Sequence, residues 1–381
     1  TQTERQLKIY NLDLEISDSQ FKQRVSEIIQ QVENQYWELV YAIENYEARR
    51  RSLGLAIVQY ENNQKRVEIG VMAPIEITSS RAEVASREQE MIQSEVQIIN
   101  AQNSIRSLLA PDPRASIWSM SIIPTEQPQA RELQISLNEA IDTALARRPE
   151  LEQIHFQMEQ NEVDRRYFRK DGKPSVNLRF GVTSRGTSGQ VIGTQSIDED
   201  GDGVPETTIP GVPLENHPFY GNFSDAWGQS FGFDYLAYVA AVDVEIPLRN
   251  RSNEAQLAQV AINERQLNSR LRSQQQSIMV DVRNAFEEIL TRRKSLEAAR
   301  VARELTEEQL EGENKRFEAG LSTNFEVLRY QRDLANAQVQ ELRAMIDYQI
   351  ALTALQKATF TIIDDNDIVT ARRDQTAGAM N

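Results

Sequence analysis

The chain has 381 residues, with 42 Lys and Arg against 57 Asp and Glu, a formal net charge of -15, and no cysteine. That balance offers no basic surface to a nucleic-acid backbone, and the missing thiols exclude disulfides, thiol catalysis and zinc–thiolate centres. Aromatics make up only 7%, and no apolar run reaches the roughly 18 residues that a membrane-crossing helix needs, so the composition describes long polar helices with a thin apolar stripe.

The first predicted element runs from Leu7 to Ile69 without a proline and with Gly54 as its single glycine. Leu7, Leu14, Phe21 and Ile28 form one heptad row; Val25, Val32, Leu39, Tyr46, Leu53, Tyr60 and Val67 form another. A seven-residue repeat held this long predicts a helix packed along its length on other helices with left-handed supercoiling. The same register returns 250 residues later in Val282, Ile289, Leu296, Leu310 and Phe317, with Arg303 breaking the row opposite Leu53.

Each copy ends in the same punctuation. KRVEIGVMAPIEI occupies 65–77 and KRFEAGLSTNFEV occupies 315–327. Gly70 and Gly320 are placed to close the long helices in the left-handed conformation. In the second copy Thr323 and Glu326 have capping-box spacing; in the first, Ala73 takes the cap position, Pro74 the first helical position and Glu76 the third. Return helices follow over about 74–109 and 323–358, which makes two long antiparallel helical hairpins in tandem. Taken locally, the motif is equally well a turn and nothing more.

Residues 110–135 hold a cluster of prolines and read as irregular chain with one short strand. Ser136 and Glu139 then open a helix that Pro149 interrupts, and a further helix reaches about Arg169. Strand periodicity follows: Val176, Leu178, Phe180 and Val182 alternate with Asn177, Arg179, Gly181 and Thr183. A second run sets Leu236, Tyr238, Ala240, Val242, Val244 and Ile246 against Asp243 and Glu245, and Pro247 closes it. About ten residues suits a tilted membrane-spanning strand, and a soluble half-buried hairpin fits the pattern as well. The organisation expected is a helical hairpin over 1–109, an irregular segment over 110–135 and helices over 136–173. A strand hairpin over 174–247, with a long loop at 186–232, precedes a second helical hairpin over 248–358 and a tail over 359–381.

That loop contains DEDGDGVPE. Asp198, Asp200, Asp202 and Gly203 match the opening of a calcium loop, in which alternating carboxylates surround a hard cation. The twelfth position is Ile209, so the closing glutamate is missing. Either Glu206 replaces it, or the stretch is an acidic solvated turn. No other cofactor signature is present. His155 and His217 lie in unrelated settings, and no HExxH, P-loop, GxSxG or dinucleotide fingerprint occurs, so nothing suggests an enzyme.

ALARRPELEQI before a helix, then PSVNLRFG, VDVEIPLRNRSNEAQLAQVAI and RFEAGLSTNFEVLRYQRDLANAQ resemble, in this order, the TolC-type outer-membrane efflux proteins. YWELVYAIENYEARRRSLGLA and RVEIGVMAPIEI resemble the first of that family's two repeats. The resemblance implies a mainly α fold with a small β part, whose helical hairpins form an α-barrel and whose strands join a trimeric outer-membrane β-barrel. It implies a homotrimeric exit duct in the bacterial outer membrane with a large periplasmic portion. Its partners would be lipid, a periplasmic adaptor and an inner-membrane transporter, in a tripartite efflux pump or a type I secretion system. By the same resemblance Gly70, Val71, Met72 and Ala73, with Gly320, Leu321, Ser322 and Thr323, are the adaptor-contacting turns. Glu326 matches an acidic aperture position, Glu76 is its first-repeat counterpart, and Arg329 stands where well-known members are acidic. The family has two strand hairpins per protomer and this sequence shows one, so the other, with the helix before it and a signal peptide, is expected upstream of Thr1. The alternative is a soluble periplasmic coiled-coil adaptor or scaffold, which the two hairpins and the scarcity of short strands disfavour.

Overall fold

The computed structural model describes residues 2–110, 112–129, 135–199, 201, 203–205, 207–246 and 250–369. Helices α1 (Gln2–Glu68) and α2 (Ile75–Leu109) form the first hairpin; α6 (Arg251–Glu318) and α7 (Asn324–Thr359) form the second. Between them lie one 3-10 turn (Ser116–Ser119), α3 (Leu137–Arg147), α4 (Pro149–Asp171) and the strand β1 (Ser175–Ser184). Strands β2 (Ile192–Ile197) and β3 (Thr207–Pro213), helix α5 (Phe223–Phe231) and strand β4 (Leu236–Glu245) follow, and a short α8 (Ile362–Asp365) comes after α7. No strand forms among the described residues of the proline-rich segment, where the 3-10 turn stands instead. At about 1.5 Å per residue, the 67 residues of α1 and the 68 of α6 make helices of roughly 100 Å.

By contact the chain divides into two units, one holding the described residues up to Asp164 and from Val260 onward, the other Arg165–Gln259. In the first unit α1 packs on α2 and on α7, which joins the two repeats. Its core gathers Ala140, Ile141 and Ala144 of α3, Leu151 of α4, Ile278, Val282 and Ile289 of α6, and Tyr348, Ala351 and Leu355 of α7. Each large aliphatic buried there contributes roughly 1.5–3 kcal/mol. Ser136 caps α3 in a full box: its hydroxyl accepts from the Glu139 N–H and Glu139 accepts from the Ser136 N–H. The Ser136 N–H and, after it, the Ser136 hydroxyl donating to the same carboxylate oxygen hold the Glu139 carboxyl below its ordinary value.

The heptad row of the second repeat is buried as expected at Val282, Ile289 and Leu296, and Arg303 enters it by pairing with Glu341 of α7 at 2.6 Å. The first repeat differs. Leu39 is buried, but Leu7, Leu14, Phe21 and Ile28 are all exposed within the protomer. The buried seam of the first hairpin is instead made of small and polar side chains, among them Ala42, Asn45, Ser52, Ala56 and Asn63 of α1 and Ser80, Arg87 and Ser94 of α2. Small residues let two helix backbones approach closely. The serines satisfy their hydroxyls locally, as Ser26, Ser80 and Ser94 donate to the carbonyls of Gln23, Glu76 and Met91.

Candidate functional site

The two hairpin tips are built alike. Gly70 has φ +77° and Gly320 φ +75°, the left-handed region that glycine enters without a Cβ clash. At the first tip Gly70 N–H donates to Val67 O at 3.0 Å and Val71 N–H to Arg66 O at 3.0 Å; at the second Gly320 donates to Phe317 O at 3.1 Å and Leu321 to Arg316 O at 2.8 Å. Both are Schellman closures, position for position. The return helices start differently. Helix α2 begins at Ile75, one residue later than its spacing predicts, and Pro74 rather than Ala73 flanks it at φ -56° with no side-chain cap. Proline already holds the helical φ but offers no side-chain acceptor, and the Glu76 and Ile77 N–H groups close instead on the Ala73 and Pro74 carbonyls. At the second tip Thr323 Oγ1 accepts from Glu326 N–H at 3.3 Å. Only half of that capping box forms, because the Glu326 carboxylate turns to Arg329 at 2.7 Å.

The repeats meet just behind these turns. Asn63 Nδ2 donates to Ser80 Oγ at 2.6 Å and to Asn324 Oδ1 at 2.8 Å, and Gln59 Nε2 donates to Asn324 Oδ1 at 2.9 Å. Asn324 Nδ2 in turn reaches Glu76 Oε2 at 3.2 Å. Asn63, at 0% exposure, Ser80 and Asn324 are buried, so this network couples three helices through amides with almost no water access. Beside it the Arg66 guanidinium lies 4.7 Å from the Phe317 ring centroid, and Ser322 donates to the buried Glu313. Glu76 and Glu326 are thus both engaged within the protomer. A hydrogen bond to Tyr330, more than the charge of Glu326, raises Arg329 above its ordinary value, so a fixed cation stands beside Glu326. The turns themselves stay open: Val71 is 68% and Leu321 71% exposed, and Ile69, Ile75 and Phe325 are bare beside them. None of these apolar neighbours was singled out from sequence, although each flanks the glycine motif.

In the second unit β1 and β4 pair antiparallel over all ten residues, setting Val176 against Val244, Leu178 against Val242, Phe180 against Ala240 and Val182 against Tyr238. Those side chains share one face by strand alternation, and Phe180 is 83% exposed, with Leu178, Val242 and Tyr238 also bare. The opposite face carries Asn177, Thr183 and the Arg179–Asp243 ion pair. A ten-residue hairpin with one bare apolar face and one polar face is what the wall of a membrane β-barrel requires.

The long loop is more ordered than its composition suggests. Strands β2 and β3 form a second hairpin within it, and α5 follows. Asn222 and Asp225 form a capping box before aromatics at four-residue spacing, a helix signal that was present in the sequence. Of the acidic cluster, Asp198 takes the N–H groups of Gly201 and Gly203 on its two oxygens at 2.7 and 2.8 Å. Asp200, Asp202 and Glu206 lie outside the described residues, as does Pro247.

The model of the family described as outer membrane efflux protein matches residues 140–359. No curated protein sequence matches the chain. Among solved structures it is similar to the Campylobacter jejuni CmeC outer membrane channel, with a TM-score of 0.65 at 15% identity over 96% of this chain and 72% of that one. The outer membrane protein VceC of Vibrio cholerae gives 0.66 at 15% over 93% and 75%. The open state of the Neisseria gonorrhoeae MtrE outer membrane channel gives 0.61 at 18% over 93% and 70%. At such identities the likeness is one of fold, and it covers 93–96% of this chain. The chain belongs to the outer membrane efflux protein family, and its paired helical hairpins and bare-faced strand hairpin are the parts of an outer-membrane efflux channel.

Proposed function

We propose that three copies of this chain form the exit duct of a tripartite efflux pump or type I secretion system, a passive conduit without catalytic chemistry. An inner-membrane transporter supplies the energy, and a periplasmic adaptor docks on the tips around Gly70–Ala73 and Gly320–Thr323. What carries this reading is the pair of equivalent turns that present Val71 and Leu321 to solvent on a rigid, hydrogen-bonded base. The uncovered row Leu7, Leu14, Phe21 and Ile28 supports contact between copies, since long apolar rows on single helices are ordinarily buried by a neighbour. Glu76 and Glu326 lie next to the turns and are proposed aperture residues, with Arg329 partly cancelling the second.

Reconstituted trimers are expected to conduct ions in planar bilayers, and photo-crosslinkers at Val71 and Leu321 are expected to capture the adaptor. A properly trimeric sample that is silent in bilayers, or crosslinks that form only at the strand end, would count decisively against the duct. Calcium at Asp198, Asp200 and Asp202 is a separate proposal, supported by the DxDxDG spacing. Calorimetric titration of calcium should show heat that Asp200→Asn with Asp202→Asn abolishes; no heat at millimolar calcium removes the site.

A further inference from the structure

Residues 219–235 carry seven aromatics in a chain that is only 7% aromatic, and the channel reading has no use for them. Three stand on α5 at i, i+4 and i+8. The Phe223 and Trp227 rings are 6.1 Å apart edge-on, and Trp227 and Phe231 stack at 5.0 Å. Positions at this spacing fall on one helix face, and none of the described residues covers it: Phe223 is 78% exposed, and Trp227 and Phe231 are also bare.

Helix α5 is fastened to the loop. Ser184 of β1 donates to Ser230 O at 2.6 Å, Gln229 Oε1 accepts from the Thr187 N–H at 3.1 Å, and Ser188 donates to Asn222 O at 2.6 Å. Gly186 passes so close to Ala226 that a Cβ there would fall 1.7 Å from the Ala226 carbonyl oxygen. The helix is therefore held with its aromatic face outward, at the Ser184 and Leu236 end of the β1–β4 hairpin. Its N-terminal capping box and the bond from Asp234 N–H to Gln229 O fix both ends.

We propose that α5 is an interfacial anchor, whose Phe223, Trp227 and Phe231 insert into the head-group boundary of the lipid bilayer where the bare face of β1–β4 ends. The proposal rests on the outer-membrane placement of that hairpin. Lipid is the occupant because α5 is bonded to the end of β1, the strand whose bare face the channel reading assigns to lipid. Aromatic rings are also the side chains that favour this boundary, with an apolar body and, in Trp, one N–H for the head groups. The ridge carries no Lys or Arg, so binding follows apolar contact rather than attraction to anionic lipid.

Trp227 can report on its own position, because the chain has only three tryptophans. The experiment reconstitutes the full trimeric protein into vesicles of phosphatidylcholine brominated either near the head group or deep in the acyl chain. It compares the chain with its Trp227→Phe variant, so that the difference isolates Trp227. Emission from Trp227 should fall roughly twofold with the shallow label and less with the deep one. Trp227 quenched by aqueous iodide and not by lipid overturns the anchor, and so does Trp227 shielded from both, the signature of a neighbouring copy covering the ridge. A Phe180→Trp variant separates this failure from the larger one: with Phe180→Trp quenched by deep label and Trp227 untouched, the hairpin is in the membrane and the anchor alone is wrong. If neither is quenched, the membrane placement itself falls.

Discussion

Replacing Arg87 by Ala is expected to lower the stability of the helical unit by on the order of 3 kcal/mol. Arg87 is 3% exposed on α2, and its guanidinium makes four hydrogen bonds. Nε donates to Glu83 at 3.0 Å, Nη1 to the Ser52 carbonyl and hydroxyl at 3.0 Å each, and Nη2 to the Leu328 carbonyl at 3.4 Å. One side chain therefore ties α2 to α1 and to α7, adding to the α1–α7 packing that joins the two repeats. Truncation removes four bonds from a buried site and leaves the Glu83 carboxylate without its partner, and each lost bond to a buried group costs about 1–3 kcal/mol. Lysine restores the charge but not the planar fork, so Arg87→Lys should recover only part of the loss. Arg50→Ala is the control, because Arg50 meets Glu47 at 3.7 Å on an exposed surface and should shift stability by less than about 0.5 kcal/mol. The measurement is denaturant unfolding followed by helical circular dichroism. Equal midpoints for the Arg87→Ala and Arg50→Ala variants would show that the buried arginine holds nothing together.

The second large effect is expected at Gly320. A Cβ there meets no atom within 4 Å, so any penalty comes from the backbone at φ +75° and not from packing. A left-handed conformation costs an ordinary L-residue roughly 1–2 kcal/mol, and a β-branched one is a steric outlier there. Gly320→Val should therefore open the Schellman closure, release the Leu321 N–H from Arg316, and impair both adaptor crosslinking and export. Gly54 supplies the contrast. It sits mid-helix in α1 with equally open space, so Gly54→Ala should stabilise by about 0.5–1 kcal/mol. Hydrogen exchange at Leu321 reads the local event directly. Unchanged protection together with unchanged crosslinking in the Gly320→Val protein would sink the assignment of this turn to docking.

Much of this architecture was legible because its signals are local and periodic. A Pro-free heptad pattern allows little but a long helix, and a glycine repeated 250 residues later in the same phase marks two equivalent turns. The alternation in β1 and β4 fixed both strands, since period two has no helical reading. Other features were present but weak. Hairpin β2–β3 is short and interrupted by Gly193 and Pro210, and α5 is nine residues long. Their capping and alternation signals were outweighed by the Gly- and Asn-rich composition around them.

By itself the sequence determined the helical hairpins, their twofold repetition, the glycine closures and the amphipathic strand pair. Each element among these depends on residues within a few positions of one another, and the repetition only on comparing two such local patterns. Only the tertiary structure decided which face of the first hairpin is spent inside the protomer. The obvious apolar row of Leu7, Leu14, Phe21 and Ile28 stays bare, while Asn63, Ser80 and Asn324, ordinary polar residues in one dimension, form the buried junction behind the tips. An amide is legible as buried only when its partners are known, and here one of them stands 261 residues away along the chain. Hydrophobicity can be read residue by residue, whereas hydrogen-bond satisfaction belongs to pairs that the fold creates.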